Sequence, residues 1–217
     1  MLSKRLNAIA SLVDKDMVIA DIGTDHAFLP IYLVKHDIVK KAYAFDNKVG
    51  PLKQAIKNIN ANGLSDKIFA YQADGLEKLP CDVNTIIIAG MGVKTIIDIL
   101  TQELDKVKKL DHLILQPNNN VYLLRSWLNK QGFMISDELL LKDYKYYQVV
   151  VVNPSKKGQY NDLEVYFGPC LLNKKDDIFI EYHIEQYQKL KVIYQNHPKK
   201  VTNTDFLMLQ TLFKELL

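Results

Sequence analysis

Acidic, amide and glycine residues recur directly after short apolar runs in the first part of the chain. They are Gly23-Thr24-Asp25-His26, Asp46, Asp74-Gly75, Gly90-Met91-Gly92 and Gln116-Pro117-Asn118. If the apolar runs are parallel strands, their carboxyl ends meet at one edge of a sheet, which is where such sheets bind ligands. Loops are polar in most proteins, which accounts for some of these residues individually. The repeated Asp directly after a strand is better explained by a binding edge.

The first of these loops indicates the kind of ligand. A dinucleotide site needs the pattern G-x-G-x-x-G, so that backbone amides can approach a pyrophosphate. Here Asp21-Ile22-Gly23-Thr24-Asp25-His26 contains one glycine and two carboxylates, and the P-loop pattern G-x-x-x-x-G-K-[ST] is absent from the sequence. Carboxylates would repel a pyrophosphate, but they suit a ligand that carries a cationic amino group and a sulfonium.

Two further strand ends complete the predicted ligand site. Asp46, followed by Asn47, ends the second strand, where a carboxylate can accept hydrogen bonds from both hydroxyls of a ribose. Asp74 could accept from the amino group of an adenine. Asp74-Gly75 is equally well explained as a simple turn.

Other kinds of catalytic site find little support. The five histidines and two cysteines follow no metal-ligand spacing, so we expect no metal. A serine nucleophile elbow, G-x-S-x-G, is absent from the sequence. His26 could serve as a general base, or it could simply pack within its loop.

The elements that would position these residues alternate between strand and helix. An amphipathic helix with Leu2, Leu6, Ile9 and Leu12 opens the chain. The expected strands are Met17–Ile22, Ala42–Asp46, Ile68–Ala73, Thr85–Ala89, His112–Leu115, Phe133–Leu140 and Tyr146–Val152.

This alternation predicts an α/β fold with a mostly parallel sheet covered by helices on both faces. The last two strands follow each other without a helix, so the final strand should run antiparallel to the rest. A dinucleotide-binding sheet would close with another helix-linked parallel strand. A Rossmann-like sheet of seven strands with an antiparallel last strand is typical of class I methyltransferases that use S-adenosylmethionine.

A turn-rich segment, Asn153–Gly158, suggests a domain boundary. We therefore predict a ligand-binding domain over residues 1–154 and a C-terminal helical hairpin, an antiparallel coiled coil, over 155–217. The hairpin follows from apolar residues at helical spacing from Phe179 to Ile193 and from Phe206 to Leu216, with His197-Pro198 between them.

Composition and charge narrow the remaining classes of protein to which the chain could belong. Hydrophobic residues make up 48% of the 217 residues and charged residues 24%, which is enough apolar surface for a folded core. The apolar runs are strand-sized, so we expect no membrane span. We find no signal sequence and no disulfide framework, and we expect a cytoplasmic protein. The net charge of +3 permits a nucleic-acid partner without arguing for one.

Three motifs together resemble a known family. Ala20-Asp21-Ile22-Gly23-Thr24-Asp25-His26-Ala27-Phe28-Leu29-Pro30, Ile88-Ala89-Gly90-Met91-Gly92 and Leu115-Gln116-Pro117-Asn118 look like the bacterial tRNA (adenine-N1)-methyltransferases that modify adenine 22. The motifs stand in the family's order, and the resemblance covers the whole chain. One departure is Val93, where the family often has a further glycine.

The resemblance implies S-adenosylmethionine as methyl donor and tRNA as substrate. It assigns the cofactor site to strand-end residues, which are Asp21, Gly23, Thr24, Asp25, His26, Asp46, Asn47, Asp74, Gly75, Gly90, Met91 and Gly92. Near the target base it implies Gln116, Pro117 and Asn118. Asp25 is the candidate for stabilising the charge that develops on the base, and Asn118 or His26 for hydrogen bonding to the adenine edge.

The lysines of the predicted hairpin have two explanations. Lys189, Lys191, Lys199 and Lys200 could contact tRNA phosphates, or they could form an ordinary solvated surface. Two alternative functions also stay open at this point. One is a non-catalytic regulator that binds S-adenosylmethionine, and the other is a methyltransferase acting on a small molecule.

Overall fold

The computed structural model describes residues 2–15, 17–196 and 207–212. The chain divides into two compact units, Met1–Gln159 and Tyr160–Leu217. The first unit contains every strand of the described residues and all the strand-end residues considered above.

Seven strands form one sheet in the order β3-β2-β1-β4-β5-β7-β6. The strands β1 to β5 run parallel, and β7 is antiparallel to both of its neighbours, as the sequence predicted. The bounds are β1 (Val18–Ile22), β2 (Lys41–Asp46), β3 (Ile68–Gln72), β4 (Thr85–Met91), β5 (His112–Pro117), β6 (Phe133–Lys142) and β7 (Tyr146–Lys157).

The apolar strand sequences explain the position of the core. Ile86, Ile87 and Ile88 in the middle of β4 are all fully buried, as expected for a parallel strand covered on both faces. The helices of this unit are α1 (Lys4–Ala10), α2 (Phe28–Lys35), α3 (Val49–Ala61), α4 (Val93–Gln102), α5 (Leu104–Val107) and α6 (Val121–Gln131). None of the helices in the described parts of the chain is long and apolar enough to cross a membrane.

The segment Asn153–Gly158 is not a linker, contrary to the sequence-based expectation. β7 continues through Pro154 to Lys157, and Lys157 is in register with Phe133 of β6. Pro154 is tolerated because the pairing of β7 with β5 ends at Val152, so no partner on that side needs the N–H that proline lacks. The boundary between the two units accordingly follows Gln159 rather than Pro154.

The second unit is more than a two-helix hairpin. Two short helices, α7 (Asp162–Phe167) and α8 (Pro169–Lys174), precede the long helix α9 (Asp177–Asn196). Residues 207–212 are also helical, and Leu209 and Leu212 are buried. The turn predicted at His197-Pro198 lies outside the described residues, as do Lys199 and Lys200.

Candidate active site

Most of the predicted site residues lie at or just beyond the carboxyl ends of the strands β1 to β5. Neighbouring strands in the order β3-β2-β1-β4-β5 bring together residues that are far apart in sequence. We call this the strand-end edge. It is built from the loops that follow Ile22, Asp46, Gln72, Met91 and Pro117.

The loop after β1 turns sharply over the end of β2. The backbone N–H groups of Gly23 and Thr24 both donate to the carbonyl oxygen of Phe45, at 2.8 Å each. Gly23 has φ +74°, and a Cβ atom there would lie 2.2 Å from the Met91 Cε atom. Asp25 and Ala27 also have positive φ, of 54° and 56°. Such strained backbone in non-glycine residues is concentrated at functional sites.

Asp21 is a buried carboxylate at the end of β1, with a side chain that the Thr24 hydroxyl holds in place. Thr24 Oγ1 donates to Asp21 Oδ2 at 2.7 Å. Burial raises the pKa of Asp21 from 3.8 to about 6, while the bond from Thr24 and the charge of Arg5 lower it and the charge of Asp46 raises it. An ionised carboxylate that lacks solvation is stabilised when a cation binds beside it.

Asp46 is also buried and organises the neighbouring backbone. Its Oδ2 atom accepts from the N–H of Asp25 at 3.2 Å, and its Oδ1 atom accepts from the N–H of Lys48 at 2.9 Å. These bonds fix the carboxylate between the loops after β1 and β2. Each oxygen retains a second lone pair for a further donor such as a ribose hydroxyl.

A cavity of about 310 Å³ lies beyond the ends of β2 and β3. It is lined by Asn47, Gln72, Ala73, Asp74, Glu77 and Lys78. Asp74 is exposed, and its N–H donates to Glu77 Oε1 at 3.3 Å, which closes the turn at Gly75. The turn explanation of Asp74-Gly75 is therefore correct as far as the backbone goes, and the Asp74 side chain still lines the cavity.

Gly90 forms a β-bulge at the end of β4, and this bulge shapes the loop that follows. Ala89 pairs with Gln116 and Met91 with Pro117, so Gly90 is the extra residue, with φ +80°. Asn118 closes the bulge, since its Nδ2 atom donates to the Gly90 carbonyl at 2.6 Å and its N–H donates to the Met91 carbonyl at 2.8 Å.

Val93, at the position where the family often has glycine, is the buried first residue of α4. Its N–H donates to Asn119 Oδ1 at 3.1 Å. A helix can begin with valine here because the side chain is buried and the N–H has a partner.

Arg5 is a site residue that the sequence did not indicate. It comes from α1, and its Nη1 atom donates to Gln116 Oε1 at 2.7 Å. The same guanidinium lies beside Gly90 and 5.9 Å from the ring centroid of Tyr147. Gln116 is fully buried, and its Nε2 atom donates to the Pro117 carbonyl at 2.7 Å. In this conformation Gln116 holds Arg5 and does not present its amide to solvent.

His26 and Asp25 lie at the outer rim of the strand-end edge. The His26 ring stacks on Phe28, with centroids 5.1 Å apart, and its Nε2 atom is 3.6 Å from Asp25 Oδ2. The side chains of His26 and Asp25 are 42% and 65% exposed, so both are open to an incoming ligand.

The predicted lysines of the second unit have a different setting. Lys189 and Lys191 are exposed on α9, and Lys189 Nζ is 3.8 Å from Glu185 Oε2. Among the residues that the structure describes, no group of three or more His, Cys, Asp and Glu side chains could hold a metal ion.

Comparison with known proteins assigns this geometry to a family. The model of the TrmK family, tRNA (adenine(22)-N(1))-methyltransferase, matches residues 19–214. The tRNA (adenine(22)-N(1))-methyltransferase of Bacillus subtilis is 34% identical over 201 residues, which cover 89% of this chain and 84% of the relative.

Solved structures agree in fold over nearly the whole chain. Streptococcus pneumoniae Sp1610, in complex with S-adenosyl-L-methionine, is 35% identical with a TM-score of 0.90, and the match covers 98% of this chain and 99% of that one. M. capricolum TrmK, in complex with S-adenosyl-homocysteine, is 34% identical with a TM-score of 0.81, and the match covers 97% of this chain and 94% of that one. The chain therefore belongs to the tRNA (adenine(22)-N(1))-methyltransferase family.

Proposed function

We propose how the strand-end edge performs the reaction of this family. The chain is an S-adenosylmethionine-dependent enzyme that methylates N1 of adenine 22 in tRNA. The observation that carries the assignment of residues is the pair of buried carboxylates, Asp21 and Asp46, at the ends of adjacent strands. Two alternative functions, a non-catalytic regulator that binds S-adenosylmethionine and a methyltransferase acting on a small molecule, are no longer supported. The family model and the curated relative are both named for tRNA methylation.

The donor set fits S-adenosylmethionine. Asp21, whose charge is poorly solvated, would pair with the cationic amino end, together with the loop at Gly23 and Thr24. Asp46 and Asn47 would bind the ribose hydroxyls, and Asp74 with Gly75 would hold the adenine at the cavity. Gly90, Met91 and Gly92 would border the reactive end, since Met91 already contacts Gly23.

The cofactor supplies an electrophilic methyl group on a sulfonium. The protein needs no base before attack, because N1 of neutral adenine has a free lone pair. When the N1–methyl bond forms, the sulfonium becomes a neutral thioether and the positive charge passes to the base. Much of the rate enhancement then comes from positioning the two reactants in line.

Three residues are proposed to act on the target base. The carboxylate of Asp25, which is 65% exposed at the rim of the strand-end edge, would stabilise the charge that develops on the adenine once the bound base covers it. His26 and Asn118 would form hydrogen bonds to the edge of the adenine. Gln116 and Pro117 would lie on the protein side of these two residues. Since N1 lies on the pairing edge, the base must be unpaired before it is methylated.

Nucleic-acid binding by the second unit is also part of the proposal. Lys189 and Lys191 would contact tRNA phosphates, together with Lys199 and Lys200, which lie outside the described residues. Because the substrate is tRNA, we place the reaction in the cytoplasm.

Methyl transfer to unmodified tRNA tests the function directly. The full-length protein is incubated with labelled S-adenosylmethionine and tRNA that lacks the modification, and the nucleosides are then analysed. Label in 1-methyladenosine at position 22 is the expected result. Label in another nucleoside, or in none, would contradict the proposed function.

Replacing Asp46 with alanine is expected to weaken S-adenosylmethionine binding by about 2 kcal/mol, the scale of hydrogen bonds to a charged group. Calorimetric titration measures this change. Asp98→Ala, which removes an exposed carboxylate from the middle of α4, is the matched control and should bind normally. Equal affinities in the two variants would remove Asp46 from the cofactor site.

Replacing Arg5 with alanine is expected to move the pH dependence of cofactor binding to higher pH. The charge of Arg5 lowers the pKa of Asp21, so its loss leaves Asp21 protonated at higher pH. Arg5→Lys keeps the charge and should behave closer to the natural protein. Affinity for S-adenosylmethionine is measured by calorimetry between pH 5 and pH 8. An unshifted midpoint in Arg5→Ala would show that Arg5 does not influence Asp21.

A further inference from the structure

The turn between β6 and β7 brings basic and aromatic side chains to the strand-end edge. β6 and β5 are both antiparallel to β7, so they run parallel to each other and their carboxyl ends lie on the same side of the sheet. Leu115 of β5 is in register with Val150 of β7. The residues Tyr146 and Tyr147 therefore extend beyond the end of β5, and the turn that precedes them projects past the site.

The turn is joined to α1 by a direct contact. Lys4 Nζ donates to the Lys142 carbonyl at 3.1 Å. Next to it, Arg5 connects Tyr147 with Gln116, which is a predicted substrate residue. We call the four exposed side chains Lys4, Lys142, Tyr144 and Lys145 the turn patch.

The turn patch has the composition of a surface that binds single-stranded nucleic acid. Tyr144 is 83% exposed, the highest fraction among the large hydrophobic side chains that the structure describes. Lys145 Nζ lies 5.0 Å from the ring centroid of Tyr147 and 5.9 Å from that of Tyr144, and Lys142 Nζ lies 4.8 Å from that of Tyr146. Three lysines against one acidic residue, Asp143, give the patch a positive charge.

We propose that the turn patch binds tRNA beside the target adenine, with Tyr144 stacking on an unpaired base and Lys142 and Lys145 contacting phosphates. This inference rests on the proposed function, because it requires an RNA substrate at the strand-end edge. The target base must be unpaired, so its neighbours are open to aromatic stacking, which serves any base. Lysines on both sides of the ring supply the attraction to the backbone.

Binding of full-length tRNA to the full-length protein, measured by fluorescence anisotropy over a series of salt concentrations, tests this proposal. Tyr144→Ala should bind roughly tenfold more weakly, as loss of one stacked base does, while Tyr144→Phe keeps the ring and should bind normally. The double variant Lys142→Gln/Lys145→Gln should reduce the slope of log affinity against log salt by about 1.4 to 1.8, the value for two lost phosphate contacts.

The matched control removes the same charge from the opposite end of the sheet. Lys108 and Lys109 are exposed just before β5 begins, so Lys108→Gln/Lys109→Gln should leave the salt slope unchanged. In all of these variants S-adenosylmethionine affinity should stay within twofold of the natural protein, roughly the scatter expected for sites that do not couple. For Tyr144→Ala, KM for tRNA should rise while kcat at saturating tRNA is retained.

The outcomes separate this proposal from the proposed function. Methylation of adenine 22 by the natural protein, together with unaltered tRNA binding by Tyr144→Ala and by the patch double variant, would overturn the turn patch alone. So would a change in sedimentation of these variants without a change in tRNA affinity, since the patch would then join two copies of the chain. Absence of tRNA methylation by the natural protein would overturn the function itself.

Discussion

Asp21→Asn is expected to make the unliganded protein more stable and the enzyme much less active. The pKa of Asp21 is about 6 in the folded protein, against 3.8 as the ordinary value. Between these two pH values the folded state holds more protons than the unfolded state, so the free energy of unfolding falls as the pH rises. Above pH 6 the full penalty of the buried charge is present, roughly 3 kcal/mol for a rise of this size.

Asparagine removes this penalty and keeps the local hydrogen bond. Its side-chain oxygen can still accept from Thr24 Oγ1, which now lies 2.7 Å from Asp21 Oδ2. We therefore expect urea unfolding at pH 8 to give a free energy up to about 3 kcal/mol higher for Asp21→Asn. The difference should shrink as the pH falls towards 4, where aspartate is itself protonated in the folded protein.

The same substitution removes the proposed partner of the cofactor's amino group. Loss of a charged hydrogen bond in a buried site should lower kcat/KM on the order of 100-fold. Asp46→Asn is the contrasting variant. Asp46 accepts two backbone N–H groups, so its replacement should reduce cofactor affinity without any gain in stability. If Asp21→Asn were less stable than the natural protein at pH 8, or bound S-adenosylmethionine normally, this account of Asp21 would be wrong.

The sheet and its binding edge could be predicted because their signals are local. Apolar runs of strand length and the residues directly after them require no knowledge of distant contacts. Gly23 illustrates this, since its place after β1 follows from sequence alone. The reason for glycine, a φ of +74° that L side chains rarely adopt, was visible only in the structure, as was the approach of Met91.

Arg5 could not be predicted because its partner lies 111 residues away in the sequence. A signal did exist in the composition. Arg5 and Arg125 are the only arginines among 28 basic residues. Arg125 donates to both Glu138 and Gln148, and Arg5 donates to Gln116 while its planar guanidinium lies near the Tyr147 ring, which are contacts that suit a guanidinium better than an ammonium. In this lysine-rich chain both arginines therefore mark structured sites.

The boundary after Pro154 was wrong for a similar reason. Asn, Pro, Ser and Gly are common in turns, but β7 extends through this segment because β6 offers a partner for Lys157. A long-range pairing thus overrode the local turn preference. In the second unit α7 begins at a capping box formed by Asn161 and Glu164, which is a local pattern that can be recognised in the sequence.

Breaking the Arg125–Glu138 pair is expected to have the largest effect on stability. Arg125 Nε donates to Glu138 Oε1 at 2.6 Å, and the two side chains are 1% and 0% exposed. Arg125 also donates to Gln148 Oε1 at 2.7 Å, so the pair ties α6 to both β6 and β7. Glu138→Ala would remove the buried carboxylate that accepts from Arg125 Nε, and breaking a buried pair in this way costs about 3 to 5 kcal/mol.

The double variant Arg125→Met/Glu138→Leu should recover most of this loss. Apolar side chains of similar size have no charge to desolvate, and such replacements of buried pairs are often close to neutral. Urea unfolding of the natural protein, both single variants and the double variant gives the coupling energy between the two positions. The half-buried pair of Lys106 and Glu103, at 3.2 Å, is the control, and Glu103→Ala should cost less than about 1 kcal/mol.

The Arg125–Glu138 pair should also affect tRNA binding, because it supports the strands that carry the turn patch. β6 and β7 are the strands that carry the turn, and Arg125 contacts both of them. In the double variant, where the strands remain packed, tRNA affinity should be retained. In Glu138→Ala, tRNA affinity should fall more than S-adenosylmethionine affinity, because the cofactor residues lie on β1 to β4 and their loops. A double variant as unstable as Glu138→Ala would mean that packing volume, and not the buried charge, determines stability at this position.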